Sequence, residues 1–320
     1  MPANTKYELK LGAATREAFG KTLAELGREN PNIVVGDADL TKSTMTTFFA
    51  KEFPDRLFEC GIAEANMVAI GAGLAMAGKI PFVSSFSAFV MTKGFEQLRC
   101  LVAYPNVNLK VVGTHSGISI GEDGPSQMSM EDLALACALP NFTVLCPADE
   151  VSTKWAVRWA AAHQGPVFIR TGRPKAPAIY QSAAQFEIGK AVELVPGADV
   201  TLVATGLLVA EAIKASDLLA AEGISARVLD IHTIKPLDEE ALARAARETG
   251  ALVVAEEHLV DSGLGVRVAQ ALARTVPAPV EFVGLTRFAE SGSPDQLLDL
   301  YGLRAPDLVA AARKVIARKK

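Results

Sequence analysis

Short runs rich in valine, isoleucine and leucine alternate along the chain with longer stretches of helical length. In the first half, NIVVGDADL, KIPFVSS, NLKVVGTH, FTVLCPAD and GPVFIRTG predict short strands buried on both faces. Residues 15–30, 63–78, 90–104, 130–138 and 151–164 predict the helices between and around them. The alternation lapses in RPKAPAIYQSAAQFEIGK, a proline-bearing and mostly polar stretch that reads as a linker. It then resumes. VTLVATG, ARVLDIH, ALVVAEEH and PVEFVGL predict strands, with helices over 207–222, 237–249, 265–275 and 305–317. Such alternation gives parallel sheets with helices on both faces. The expected fold is α/β: two doubly wound domains spanning 7–180 and 187–320, the first the larger.

A length of 320 residues suits two domains of about 150 residues each. Half the residues are hydrophobic and 21% are charged, which argues against a disordered chain. The 32 basic and 36 acidic side chains are interspersed, so no basic stripe marks a nucleic-acid surface. No apolar run reaches the ~18 uncharged residues of a membrane helix, and the polar opening MPANTKYELK does not read as a signal peptide. A cytoplasmic location without membrane contact is expected. Cys60, Cys100, Cys137 and Cys146 are widely spaced and read as reduced thiols, not as zinc ligands.

Ligands of open parallel sheets bind beyond the carboxyl ends of the strands, so polar residues there are the first candidates. Asp37 and Asp39 follow the first strand run, with Thr41, Ser43 and Thr44 in the same loop. Glu64 precedes a long helix rich in alanine and glycine, and Phe86 and Phe89 stand three apart in an apolar segment. THSGISIGEDGPSQ gathers His115, Glu122, Asp123, Ser126 and Gln127, and Arg170 and Arg173 follow the last strand of the first domain. Each alone has an ordinary structural reading. An acid in the first turn complements the helix dipole, phenylalanines pack cores, a loop histidine bonds at the surface and arginines form ion pairs. Their joint occurrence, in this order, is what points to a site. Two nucleotide motifs are missing: no G-x-G-x-x-G follows the first strand and there is no G-x-x-x-x-G-K-[ST].

Taken together, GDADLTKST, DRLFECGIAEANM, SSFSAF, GTHSGISIGEDGPSQMSMEDLAL, FIRTGRP, VLDIHTIKPLD and VAEEH resemble the transketolase family of thiamine diphosphate enzymes. The likeness runs over residues 11–316 and concerns that family's pyrimidine-binding and C-terminal domains. It implies a pyrimidine-binding domain over 7–180 and a C-terminal domain over 187–320. The family holds magnesium at a G-D-G motif followed by an asparagine. GDADL has alanine in place of the second glycine, so no metal site is assigned to this chain despite Asn66 downstream.

The resemblance implies one subunit of a split transketolase, moving a two-carbon ketol unit from a ketose phosphate to an aldose. Thiamine diphosphate would be shared with a separate N-terminal, diphosphate-binding subunit that holds Mg2+ (or Ca2+ or Mn2+). Self-association through both domains would complete a heterotetramer. By the same likeness Glu64 is the glutamate that hydrogen-bonds the pyrimidine, Phe86 and Phe89 form its aromatic wall, and Asp39 joins them as cofactor-binding. His115 and Asp123 match donor-sugar contacts, and Gln127 matches a position held by histidine or glutamine. Glu64, His115 and Gln127 are thus the catalytic candidates. Arg16, Ser43 and Arg173 match contacts to the acceptor-sugar phosphate, a task suited to bidentate guanidinium pairing.

Two departures stand out: Thr92 where some members carry a further aromatic, and Gly172 where serine is common. Glu256, Glu257 and His258 read as interface structure. Three alternatives remain: the beta subunit of a 2-oxoacid dehydrogenase decarboxylase component, a deoxyxylulose-phosphate synthase fragment, and a non-catalytic transketolase-like regulatory subunit. The first generally lacks the GEDGPSQ loop and the phosphate-contacting arginines. The last would not need Glu64, Phe86, His115, Asp123 and Arg173 together.

Overall fold

A computed structural model describes residues 7–181 and 186–319, and in it each half of the chain builds an open sheet. The first half contributes β1 (Leu11–Ala14), β2 (Ile33–Asp37), β3 (Leu57–Glu59), β4 (Ile80–Phe86), β5 (Lys110–Thr114), β6 (Thr143–Leu145), β7 (Val167–Arg170) and β8 (Lys175–Pro177). The second contributes β9 (Val192–Val195), β10 (Val200–Ala204), β11 (Ala226–Asp230), β12 (Thr233–Lys235), β13 (Leu252–Leu259) and β14 (Val280–Leu285). The first sheet runs β12-β6-β7-β5-β4-β2-β3, and the second β14-β13-β10-β11-β9. Every pairing in both is parallel except those of the edge strands β12 and β9.

The central strands β2, β5 and β10 are buried at every position, as expected of parallel strands covered on both faces. The helix Thr15–Glu29 turns Phe19, Leu23 and Leu26, at helical spacing, into a core with Phe82, Val112 and Ile169 from the sheet. A second cluster joins Met67, Val83 and Val111 of the first half to Val203, Leu229 and Val254 of the second. The two sheets therefore share apolar packing.

Three features differ from the sequence reading. The predicted 90–104 helix starts earlier, as Ser87–Lys93, and is divided at Gly94 before Phe95–Gln97 and a π-helical turn, Leu98–Ala103. The linker stretch is not wholly irregular: β8 lies within it and pairs antiparallel with β1, while residues 182–185 fall outside the described residues. Most consequentially, the first sheet is not confined to the first domain. Thr233–Lys235 crosses over and pairs antiparallel with β6, placing Thr233 opposite Leu145 and Lys235 opposite Val144. A bare β6 edge would leave backbone donors and acceptors unpaired, and β12 covers it. Three residues are too few to show a strand period in the sequence.

Candidate active site

At the carboxyl ends of β2, β3, β4, β5 and β7 the chain turns into loops that carry nearly all the candidate residues. The loop after β2 is built on Asp37. Its buried carboxylate accepts from Leu40 N at 2.7 Å, Thr44 Oγ1 at 2.7 Å and Thr46 Oγ1 at 2.8 Å. Burial pushes its acid up to about 6 against those donors. Asp37 thus shapes the loop, and Asp39 stands exposed on it, its N–H bonded to Glu59 Oε1 at 2.7 Å. Asp39, Met45 and His115 all adopt left-handed backbone, at φ of 64°, 69° and 58°. Each costs of order 1 kcal/mol for a non-glycine residue, and such strain gathers where surrounding structure fixes side chains for use.

Gly20 brings the first helix against this loop: a Cβ there would lie 2.3 Å from Met45 O. The close approach lets Arg16, on the same helix, reach Ser43 O with Nη1 at 2.7 Å and His115 Nε2 at 3.0 Å. Arginine has donors only, so Nε2 must accept. The imidazole proton then sits on Nδ1 and points to Thr114 Oγ1, 2.8 Å away. Burial first, then the charges of Arg16 and Arg173, hold the His115 acid down at about 3, so the ring is neutral in ordinary buffers. Its face stacks on Phe86, with centroids 3.9 Å apart, and Phe86 in turn stacks with Phe89 at 5.4 Å. Burial, and then Arg173, push the Arg16 acid below its usual value, a sign of two guanidinium groups sharing one region.

Arg173 is held by Ile120 O and by Glu122 Oε2, the latter at 2.7 Å. Asp123 is exposed and interacts electrostatically with Arg16. Gln127 is half-buried and accepts from Ser126 Oγ. Glu64 begins the helix Glu64–Met76, is only 2% exposed, and has Lys93 Nζ 3.5 Å from Oε1. The structure therefore brings Arg16, Ser43, His115, Phe86 and Phe89 into one contiguous set. Asp39, on the loop of Ser43, and Asp123 and Gln127, on the loop of His115, make no direct hydrogen bond to that set among the described residues.

The two arginines after β7 separate. Arg170 is buried, with Nε 2.9 Å from Asp132 Oδ2 and Nη2 2.9 Å from Glu257 O of the second half. Glu257 accepts from Ser119 N at 2.5 Å, and a Cβ on Gly117 would meet its carboxyl at 2.3 Å. Glu256 accepts from Leu264 N and Gly265 N, and His258 is fully buried. The VAEEH segment thus backs the THSG loop from behind. Sequence reasoning passed over Lys93 and Thr114. Lys93 had a readable signal, since it lies one helical turn, four residues, after Phe89.

Residues 12–178 match the pyrimidine-binding domain of transketolase, and residues 189–308 match its C-terminal domain. The chain belongs to the transketolase family. A putative transketolase C-terminal section from Methanocaldococcus jannaschii is 43% identical over 95% of this chain and 96% of its own length. A 6-deoxy-6-sulfo-D-fructose transketolase subunit from Clostridium sp. (strain MSTE9) is 41% identical over 99% of each. Among solved structures, a split-gene transketolase described as an inactive beta4 tetramer superposes with a TM-score of 0.91. It is 48% identical and is covered over its full length, against 97% of this chain. Against the longer transketolases it matches, the chain spans about half their length.

The transketolase family implies thiamine diphosphate. The residues present fit its pyrimidine end: Glu64 is a buried carboxylate whose acceptor capacity one ammonium at 3.5 Å does not fill, set near a stacked phenylalanine pair. Among the described residues no group of three histidine, cysteine, aspartate or glutamate side chains is placed to hold a metal ion. No helix among them is long and apolar enough to cross a membrane.

Proposed function

We propose that this chain is the pyrimidine-binding subunit of a two-subunit, thiamine diphosphate-dependent transketolase, with the diphosphate-binding domain and its Mg2+ ligands on a separate chain. The observation that carries the reading is Glu64, buried to 2% exposure near the Phe86–Phe89 stack at the sheet end that also holds Arg16, His115 and Arg173. Thiamine diphosphate, when bound, supplies a thiazolium able to stabilise the two-carbon carbanion of ketol transfer. Glu64 would accept from a pyrimidine ring nitrogen that carries a proton, and Phe89 would offer a ring face for stacking. Asp39, on an exposed strained turn of the loop after β2, is assigned to the cofactor side by the family likeness.

His115 presents Nε2 as an acceptor for a sugar hydroxyl once Arg16 turns to an anion. With its one proton committed to Thr114, it orients a hydroxyl and does not store a proton. Gln127, an amide, is limited to the same role, and Asp123 adds a hydroxyl acceptor. General acid–base steps then fall to groups on the partner subunit. Arg16 and Arg173, with Ser43, form the phosphate end of the site. Their guanidinium forks suit a tetrahedral oxyanion, so sugar phosphates are the substrates and a sulfonated sugar fits the same donors. The C-terminal domain, which buttresses the THSG loop through Glu257, serves assembly with a second copy.

The test is co-purification with a diphosphate-binding transketolase subunit and an assay of two-carbon transfer from xylulose 5-phosphate with thiamine diphosphate and Mg2+. Transfer is expected only from the mixture, and Glu64→Gln should reduce it at least ~100-fold while leaving assembly intact. Full activity of that variant would instead assign the chain a non-catalytic role. Oxidative decarboxylation of a 2-oxoacid without ketol transfer would favour the dehydrogenase-component reading.

A further inference from the structure

Lys93 is the last residue of the helix Ser87–Lys93, one turn beyond Phe89. Its Nζ lies 4.5 Å from the centroid of the Phe89 ring and 3.5 Å from Glu64 Oε1. Among the described residues these are its charge-bearing contacts; no carbonyl or second carboxylate holds it. Its side chain is 50% exposed, so the ammonium can swing into water on its flexible stem. Glu64, at 2% exposure, cannot reach water in the same way. One mobile cation thus touches both groups that the proposed function assigns to the pyrimidine, a ring face and a buried acceptor.

We infer that Lys93 is a placeholder: its ammonium occupies the pyrimidine seat in the free subunit, neutralises the Glu64 carboxylate there, and leaves for solvent when cofactor binds. It is then a positioning residue that acts through Glu64. This inference rests on the reading of Glu64 and Phe89 as the pyrimidine site. A buried carboxylate without a counter-charge is costly, so the lysine stabilises the empty site. Glu64 keeps acceptor capacity beside the ammonium, but a pyrimidine stacked on the Phe89 face that the ammonium covers would overlap it, so the two compete for that face. Affinity for thiamine diphosphate therefore includes the work of expelling Lys93.

Substitutions at this position pull in opposite directions. Lys93→Met keeps the apolar stem, removes the charge and raises the free energy of the empty site, so cofactor should bind more tightly. Lys93→Arg substitutes a planar fork that stacks on phenylalanine and pairs with carboxylate more strongly, so cofactor should bind more weakly. Each shift should be about two- to fivefold, the range an exposed ion pair spans. The measurement is calorimetric titration of thiamine diphosphate, with Mg2+, into the assembled two-subunit complex. Both variants should be compared with Lys93→Gln and with the same changes on a Glu64→Gln background. Tighter binding by Lys93→Met and Lys93→Gln, weaker binding by Lys93→Arg, and loss of all three shifts on the Glu64→Gln background would support the inference. Unchanged or weaker binding by Lys93→Met, or a gain that persists on that background, where the carboxylate charge is gone, would overturn it while leaving the transketolase reading intact. A wild-type complex that takes up no thiamine diphosphate would overturn that reading, and the placeholder with it.

Discussion

His115 shows how much a single side chain's role depends on what surrounds it. The motif GTHSG places a histidine after a strand, but a histidine can donate, accept or carry charge. The bond from Arg16 settles this: Nε2 accepts, Nδ1 donates to Thr114, and burial with two nearby arginines keeps the ring neutral. Arg16 in turn ties the histidine to Ser43 O, so one guanidinium organises both loops. Arg16→Met should raise KM for a phosphorylated acceptor by about 10- to 100-fold, since charge-assisted hydrogen bonds contribute ~1.5–3 kcal/mol. Steady-state kinetics with phosphorylated and unphosphorylated acceptors would check it. The loss should nearly vanish for the unphosphorylated sugar, and equal losses for both would remove Arg16 from phosphate binding. His115 and Arg173 were legible as residues following strands, Glu64 as an acid ahead of a long helix and Phe86 as part of an apolar segment. The Lys93–Glu64 and Glu122–Arg173 pairings were not, because charged partners across loops leave no periodic trace, although the spacing of Lys93 from Phe89 was readable.

Strands were legible where they were long or lay inside a sheet. The five predicted strands of the first half and the four of the second are all present, since buried parallel strands write themselves as continuous apolar runs. The short pieces β1, β3, β8, β9 and β12 escaped, having three or four residues each and pairing at edges. Gly20 illustrates an element whose sequence preference misleads. In an exposed helix interior, glycine to alanine stabilises by about 1 kcal/mol. Here the added Cβ would meet the backbone of Met45 at 2.3 Å, so the helix would have to retreat from the loop that carries Ser43. Gly20→Ala should destabilise the fold by ~1–3 kcal/mol, measured by denaturant unfolding. A gain in stability would mean that the helix and loop are less closely coupled than the structure shows.

At the scale of the whole molecule, buried titratable groups couple stability to pH in opposing senses. Burial holds the His232 acid down at about 4, whereas the unfolded side chain titrates near its ordinary value. As pH falls between those values the unfolded chain takes up the extra proton, so this histidine's contribution is lost on acidification. Asp230 behaves in reverse. Burial above all, with Asp149 adding, pushes its acid up to about 7 although the Tyr180 hydroxyl donates to it. The folded chain binds the extra proton from the usual carboxylate value up to about 7, so stability is lost as pH rises through that window. Thermal melts across the mildly acidic to neutral range should therefore diverge. Relative to wild type, His232→Gln should gain stability toward acid, and Asp230→Asn should gain toward neutral pH. Parallel curves for all three proteins would mean that these groups titrate alike in both states.

By itself the sequence determined the α/β class, the order of the main strands and helices and the family, because apolar periodicity and loop motifs are local properties that neighbouring residues carry together. Only the tertiary structure decided that β12 closes the first sheet, that Arg170 is a buried tie to the second half while Arg173 pairs with Glu122 and acts electrostatically on Arg16 and His115, and that Lys93 reaches Glu64. Those facts depend on contacts between residues far apart in the chain, which packing, strand pairing and burial select and which no local pattern encodes.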